Sequence, residues 1–440
     1  MSITNLFERH EPAGDIMETD VFERRESEVR SYSRNFPKVF DRAYGAFLFD
    51  AEGETYLDFL AGCSTLNYGH NHPVLKEALL AYIADDGVAH GLDMFTRAKS
   101  EFLRTFEELI LKPRALDYQV MFTGPTGANA VESALKLARK VTGRQNIIAF
   151  TNGFHGMTMG ALSCTGNAGK RAGAGAPLSG VTHMPYDGYM DGLDSAEYLS
   201  AMLDNPSSGV DAPAAIIVEA VQGEGGLNAA SFAWLKKISE IAKKHGALFI
   251  LDDIQAGVGR TGKFFSFEDA GFTPDIVTLA KSISGYGLPM ALCLFKPELD
   301  IWKPGEHNGT FRGNNHAFVT ATAALKTFWA DDAFEASVAA KSAILKDRLE
   351  AMAERFSGIG ARVKGRGMMM GLDVGSGDIS DIATSRAFEN NLVIETSGAH
   401  DEVVKVLCPL TIDETDLTRG LDIMEEAIAH AVKQSVKSAA

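Results

Sequence analysis

Between about residue 73 and residue 329 the chain alternates between two hydrophobic periods. Short runs in which most positions are apolar, Gln119–Thr123, Asn146–Phe150, Ala214–Glu219, Ala247–Asp252, Asp275–Ala280 and Met290–Phe295, predict strands buried on both faces. Between them, Pro73–Ala84, Ala98–Leu111, Asn129–Val141, Ser231–His245 and Ala317–Trp329 repeat apolar residues at helical spacing and predict helices. Such alternation builds a mostly parallel sheet covered on both sides, an α/β fold. Ahead of it, Ala46–Asp50 and Thr55–Phe59 flank a turn at Gly53 and read as a hairpin. From about Ala333 the pattern becomes a long helix, strands at Gly367–Val374, Leu392–Thr396 and Val403–Leu407, and a final amphipathic helix from Glu414. The expected organisation is a large domain over 66–330 and a smaller α+β domain over 331–440, to which the segment 1–65 contributes.

Two of these strands end in residues that carry chemistry. Phe249-Ile250-Leu251 runs into Asp252, and Ile276-Val277-Thr278-Leu279-Ala280 runs into Lys281. In an open α/β sheet, ligands bind at the rim formed by the carboxyl ends of the strands. Taken singly, a lysine after a strand is most often an exposed loop residue and an aspartate is most often a cap. Together, an anion and an amine at one rim suit a cationic heteroaromatic cofactor joined to the chain through its aldehyde. Pyridoxal 5′-phosphate has those needs: an acid beside the ring nitrogen and a lysine for the aldehyde. An amine at the end of an apolar strand also loses part of its hydration, which frees it as a nucleophile and proton carrier.

Composition narrows the partners. The net charge of −16, from 42 basic and 58 acidic residues, argues against nucleic acid and anionic membranes. No run of about 18 apolar residues predicts a membrane span, and the polar stretch Met1–Arg30 has no secretory core. Cys63, Cys164, Cys293 and Cys408 are scattered without C-x-x-C spacing, as in a reducing cytoplasm, and give no disulfide framework or zinc site.

Other motifs sort by context. Gly124-Pro125-Thr126-Gly127-Ala128 joins a strand to a helix, where small residues let backbone N–H groups approach a phosphate. Gly257-Val258-Gly259-Arg260-Thr261-Gly262 matches a dinucleotide fingerprint in letters, but Lys263-Phe264-Phe265-Ser266-Phe267 cannot continue as the required helix, so that reading is rejected. Phe154, in Asn152-Gly153-Phe154-His155-Gly156, offers an aromatic face at the same rim. Glu219 and Glu224 add two acids in a Gly-rich rim loop. His70-Asn71-His72-Pro73 lacks a third ligand at metal spacing and reads as the start of a helix, so no metal is expected.

In their order along the chain, the phosphate turn, Phe-His-Gly, Glu219-Ala220-Val221-Gln222-Gly223-Glu224-Gly225-Gly226, Asp252-Asp253-Ile254-Gln255, Lys281 and Gly309-Thr310-Phe311 resemble the class III pyridoxal-phosphate aminotransferases of fold type I, the ω-aminotransferases. The resemblance spans about Tyr32 to Pro409 and implies a large domain with a seven-stranded-type sheet plus a smaller domain. It implies that Lys281 bonds the cofactor and moves the proton, and that Asp252 pairs with the ring nitrogen. Gln255 would hydrogen-bond the ring hydroxyl, Phe154 would stack on the ring, and the N–H groups of Gly127 and Ala128 would hold the phosphate. Thr310 would reach the phosphate of a neighbouring subunit, so a homodimer or higher homo-oligomer follows. Phe36-Pro37-Lys38-Val39-Phe40, Leu66-Asn67-Tyr68-Gly69-His70 and His90-Gly91-Leu92-Asp93-Met94 resemble the diaminobutyrate–2-oxoglutarate aminotransferase branch of ectoine biosynthesis. That branch moves the amino group of L-glutamate to L-aspartate 4-semialdehyde. Alternatives are a 4-aminobutyrate, ornithine or taurine type of ω-aminotransferase, or a racemase, aminomutase or decarboxylase on the same scaffold. One departure concerns substrate recognition. Where many ω-aminotransferases pair the glutamate equivalent to Glu224 with an arginine, this chain has Lys405, a point charge without the bidentate fork.

Overall fold

The computed structural model describes residues 19–438, with side chains through residue 435. The first part of the Met1–Arg30 stretch therefore lies outside the described residues. At the centre stands a seven-stranded sheet in the order Gln119–Phe122, Leu292–Phe295, Ile276–Leu279, Leu248–Asp252, Ala215–Val218, Ile147–Phe150, Val181–Met184. Leu292–Phe295 runs antiparallel to both its neighbours, and the remaining pairs from Ile276–Leu279 to Val181–Met184 are parallel. Every residue of Ile147–Phe150, Ala215–Val218, Ile276–Leu279 and Leu292–Phe295 is buried, which is why these strands read as unbroken apolar runs. The outer strand Val181–Met184 escaped the sequence reading. Its residues Thr182 and His183 are polar and its burial is only partial, as befits an edge.

The helices begin and end for local reasons. Gly127–Thr142 starts at Thr126, whose hydroxyl accepts from Asn129 N, and stops at Gly143 in the left-handed conformation (φ 69°). Its buried residues Ala130, Val131, Ala134, Leu137 and Ala138 form one stripe that packs on the sheet. The predicted helix at Ala98–Leu111 is regular only over Arg97–Phe106. Its continuation Glu107–Leu111 widens to a π turn and tightens at Lys112–Arg114, where Pro113 cannot donate the next hydrogen bond.

Two smaller sheets flank this core. Phe47–Asp50 and Thr55–Asp58 form the expected hairpin, Phe40–Tyr44 precedes it as an unpredicted third strand, and Leu392–Val393 adds in parallel beside Leu57 and Asp58. The other sheet orders Arg362–Arg366, Met369–Asp373, Val403–Val406 and Glu395–Ser397, all antiparallel. The predicted single strand Gly367–Val374 is thus the second arm of a hairpin that starts earlier. Gly367 makes that turn with φ 66°, and a Cβ there would sit 2.6 Å from the backbone of Thr261. The predicted Leu392–Thr396 strand is divided between the two small sheets, so one segment ties them together.

The Gly257–Gly262 segment is a run of turns, and no helix follows over Lys263–Phe267. Its Arg260 is fully buried and donates to Ser64 Oγ, Met368 O, Cys408 O and Asn67 Oδ1. Burial pulls its pKa down to about 10, which leaves it charged at neutral pH. One guanidinium thus joins three distant segments. Arg260→Ala strands those acceptors without water and is expected to cost about 3 kcal/mol or more, read as an earlier midpoint in urea unfolding. An unchanged midpoint would show that the segments hold together without it.

Candidate active site

Gly127, Ala128, Phe154, Glu219, Glu224, Asp252, Gln255 and Lys281 all line one cavity of about 400 Å³ at the carboxyl rim of the central sheet. The strand-end aspartate and lysine therefore open into the same space, as the sequence pattern requires. Thr310 does not: it is exposed on a loop and is not a wall of this cavity. Lys405 is not a wall either, but sits fully buried behind Glu224.

One end of the cavity is built for an anion. Gly127 and Ala128 open a helix whose cap engages only Asn129 N, so their own N–H groups have no acceptor within the helix. Gly156 closes against them with φ 129°; a Cβ there would lie 2.7 Å from that of Ala128.

Asp252 sits nearby, 4% exposed, surrounded by donors. His155 Nδ1 approaches Asp252 Oδ2 at 2.7 Å, while Thr278 Oγ1 and Ile254 N donate to Oδ1 at 3.2 and 3.3 Å. Burial alone would lower the pKa of His155, but the hydrogen bond and charge of Asp252, with Glu219 adding, raise it. Glu219 accepts from Phe154 N and Gly223 N, and so fixes the Phe154 loop to the Gly-rich loop. Burial pushes Glu219 up to about 7, and the charge of Asp252 adds to the effect.

Lys281 begins a tight turn directly after its strand and is half-buried with φ 54°, a left-handed backbone rare for a side-chain-bearing residue. A second strained element supports it. Ala61, Gly62, Cys63 and Ser64 have successive φ values of 44°, 57°, 55° and 70°, a left-handed turn disfavoured by about 1–2 kcal/mol per non-glycine residue. Arg260 holds Ser64 Oγ, Ser282 Oγ donates to Ser64 O, and Gln255 Nε2 donates to Cys63 O. The turn delivers Thr65 to the cavity wall beside Lys281.

At the Gly-rich loop, Lys405 Nζ lies 3.1 Å from Glu224 Oε1 and 2.9 Å from Glu395 Oε1. Burial would lower the pKa of Lys405, but the two carboxylates raise it. The carboxylates differ. Burial would raise Glu224, yet the charges of Lys405, Lys281 and Lys170 hold it below the usual range. Glu395 is pushed up by burial and by the charge of Glu224, against the pull of Lys405.

The sequence reading did not single out Thr65, His155, Ile254 or Glu395. His155 stood next to Phe154 in a rim loop and Ile254 between Asp252 and Gln255; Thr65 and Glu395 are brought in by folding alone. Among the described residues no group of His, Cys, Asp and Glu could hold a metal ion.

Comparison with known proteins agrees with this geometry. The family model of class-III aminotransferases matches residues 29–428. The diaminobutyrate–2-oxoglutarate transaminase of Halomonas elongata is 58% identical, over 94% of this chain and 100% of its own. That of Vibrio parahaemolyticus is 56% identical, over 96% of this chain and 100% of its own. Among solved structures, the ornithine aminotransferase of Toxoplasma gondii matches with a TM-score of 0.82 at 26% identity, over 94% of each chain. A family match over nearly the whole length, on a seven-stranded α/β sheet with a lysine and an aspartate at its rim, identifies the chain as a member of the class-III aminotransferases.

Proposed function

We propose that this enzyme transfers the amino group of L-glutamate to L-aspartate 4-semialdehyde, giving L-2,4-diaminobutyrate and 2-oxoglutarate, with pyridoxal 5′-phosphate as cofactor. The observation that carries the reading is the convergence of Lys281, Asp252 and the Gly127–Ala128 helix start on one cavity. The relatives at 56–58% identity, which carry that name over almost their whole length, support the substrate pair.

The residues present fit the cofactor. The helix start suits its phosphate, Asp252 its ring nitrogen, and Phe154 its ring face. Gln255 has a buried Oε1 with no hydrogen-bond partner among the described residues, an acceptor to spare for the ring hydroxyl. When bound, pyridoxal phosphate supplies an aldehyde for amines and a ring that withdraws electrons. Lys281 Nζ would hold the cofactor and then carry a proton between the reacting carbons. Asp252 would keep the ring nitrogen protonated, with the His155 Nδ1–H bond fixing its carboxylate.

Recognition of two unlike substrates falls to Glu224 and Lys405. Paired, Glu224 on the cavity wall is neutralised by Lys405 behind it, which suits an amine-bearing substrate; apart, Lys405 is free for the carboxylate of glutamate. A homodimer, in which the exposed Thr310 reaches a neighbour's phosphate, completes the reading. So do a cytoplasmic setting, a place in ectoine biosynthesis, and the division into 66–330 and 331–440 with 1–65. No helix among the described residues is long and apolar enough to cross a membrane.

The test is the purified protein, supplied with cofactor and glutamate, against a panel of ω-aldehydes. Release of 2-oxoglutarate in step with consumption of aspartate 4-semialdehyde, well above that with the 4-aminobutyrate or ornithine aldehydes, is expected. Turnover of one amino acid without any keto acid or aldehyde acceptor would replace transamination by a racemase, aminomutase or decarboxylase reaction.

A further inference from the structure

Glu224 has two cationic partners at ion-pair distance, one for each carboxylate oxygen. Oε1 faces the fully buried Lys405 at 3.1 Å, and Oε2 faces Lys170 Nζ at 4.0 Å, whose side chain is 39% exposed. The glutamate thus stands between an inner and an outer lysine. Lys170 Nζ also lies over the ring of the wall residue Phe154, 4.4 Å from its centroid. The backbone enforces this placement. Gly166 N donates to Gly153 O and brings the Lys170 segment onto the Phe154 loop, where a Cβ on Gly166 would meet Asn152 N at 3.0 Å. Gly225 lets the Glu224 loop press on the same segment, because a Cβ there would fall 2.0 Å from Asn152 O. Two separate close approaches, a tight one at Gly166 and one at Gly225 that only glycine allows, bring Lys170 and Glu224 onto the Asn152–Phe154 loop.

We propose that Lys170 is the outer station of the gate: when the carboxylate of glutamate takes Lys405, Glu224 moves to Lys170 and not into water. The inference rests on the reading of Glu224 and Lys405 as a gate and adds a positioning residue to it. The three N–H groups of Lys405 already face Glu224, Glu395 and the Gly223 carbonyl, so an incoming carboxylate has to displace one of them. Glu224 is the mobile choice, because, of the two carboxylates, only it has a second cation within 4.0 Å among the described residues. Lys170 therefore favours the glutamate-bound arrangement and contributes less to the closed one, in which Oε1 stays on Lys405.

The experiment measures binding of glutarate, a dicarboxylate that cannot react, to the holoenzyme by calorimetry, alongside single-turnover half-reactions with glutamate and with diaminobutyrate. Lys170→Gln is expected to raise the glutarate dissociation constant about three- to fivefold, the scale of a partly exposed ion pair. It should raise the apparent constant for glutamate by a similar factor relative to that for diaminobutyrate. Lys170→Arg should restore both, and high salt should shrink the difference. In a Glu224→Gln background the substitution at Lys170 should have no further effect. An equal effect on both substrates, no effect at all, or the same effect with Glu224 already neutral overturns the role of Lys170 and leaves the gate standing. If Glu224→Gln by itself fails to change the preference between the two substrates, the gate reading falls, and this inference with it.

Discussion

Lys281→Ala is expected to give a folded protein that lacks the visible absorbance of a lysine-linked cofactor and turns over roughly 10³–10⁴-fold more slowly. Two roles are lost at once, the amine that bonds the cofactor and the base that moves the proton. The fold should survive, because Lys281 is only half-buried and its left-handed backbone (φ 54°) is as costly for alanine as for lysine, so no strain is added or relieved. Lys281→Arg is the sharper control. It keeps charge and length, but a guanidinium does not give up its proton, so the same loss is expected. An external primary amine should return part of the rate to the alanine variant and none to the arginine one. Full turnover in Lys281→Ala would remove the residue from the mechanism.

That such a test can be designed at all reflects what was legible along the chain. The strands carrying Asp252 and Lys281 are buried on both faces, so they stand out as apolar runs that end in charge. The helix over Pro73–Ala84 announces itself through Pro73 at its first turn; the next, expected from Asn129, starts two residues earlier, at Gly127, behind its Thr126 cap. Both signals are local, and local signals survive in a sequence. The Val181–Met184 edge strand has neither a clean alternation nor an apolar run, because only one side of it has a neighbour.

What the sequence hides is contact over distance. Lys405 and Glu224 are 181 positions apart, and Arg260 reaches Ser64 across 196. The strained turn Ala61–Ser64 has ordinary residue types in a backbone that only tertiary hydrogen bonds from Arg260, Ser282 and Gln255 can hold. Glu395 is unremarkable in its own segment. It matters because Leu392–Val393 joins one sheet and Glu395–Ser397 another, and the change of sheet sets its carboxylate against Lys405. The Glu224–Lys405–Glu395 cluster is therefore a product of topology, whereas the lysine and aspartate at the rim are written in single strands.

Asp252→Asn is expected to keep the fold and the cofactor and to lose about 10²–10⁴-fold in turnover. The carboxylate faces donors on every side: His155 Nδ1, Thr278 Oγ1 and Ile254 N. Asparagine offers one acceptor oxygen and one NH₂ group; on the Thr278 side the latter would meet the fixed Ile254 N–H, so it has to face His155, which can change tautomer. A neutral amide in that place cannot keep a proton on the ring nitrogen, hence the loss of rate. The same change speaks through His155. In the parent, the hydrogen bond and charge of Asp252 outweigh burial and raise its pKa above 6.5. A histidine whose folded value is raised contributes stability in full below its unfolded value, and the contribution fades as pH climbs through the folded value. Without the carboxylate, burial prevails and that contribution is gone. The stability gap between parent and Asp252→Asn should therefore be widest at about pH 6 and below and narrow toward alkaline pH, as followed by urea unfolding of the cofactor-free proteins. A gap that widened with pH would mean that His155 is neutral beside Asp252, and the pairing that steadies this carboxylate would have to be rebuilt from a neutral imidazole.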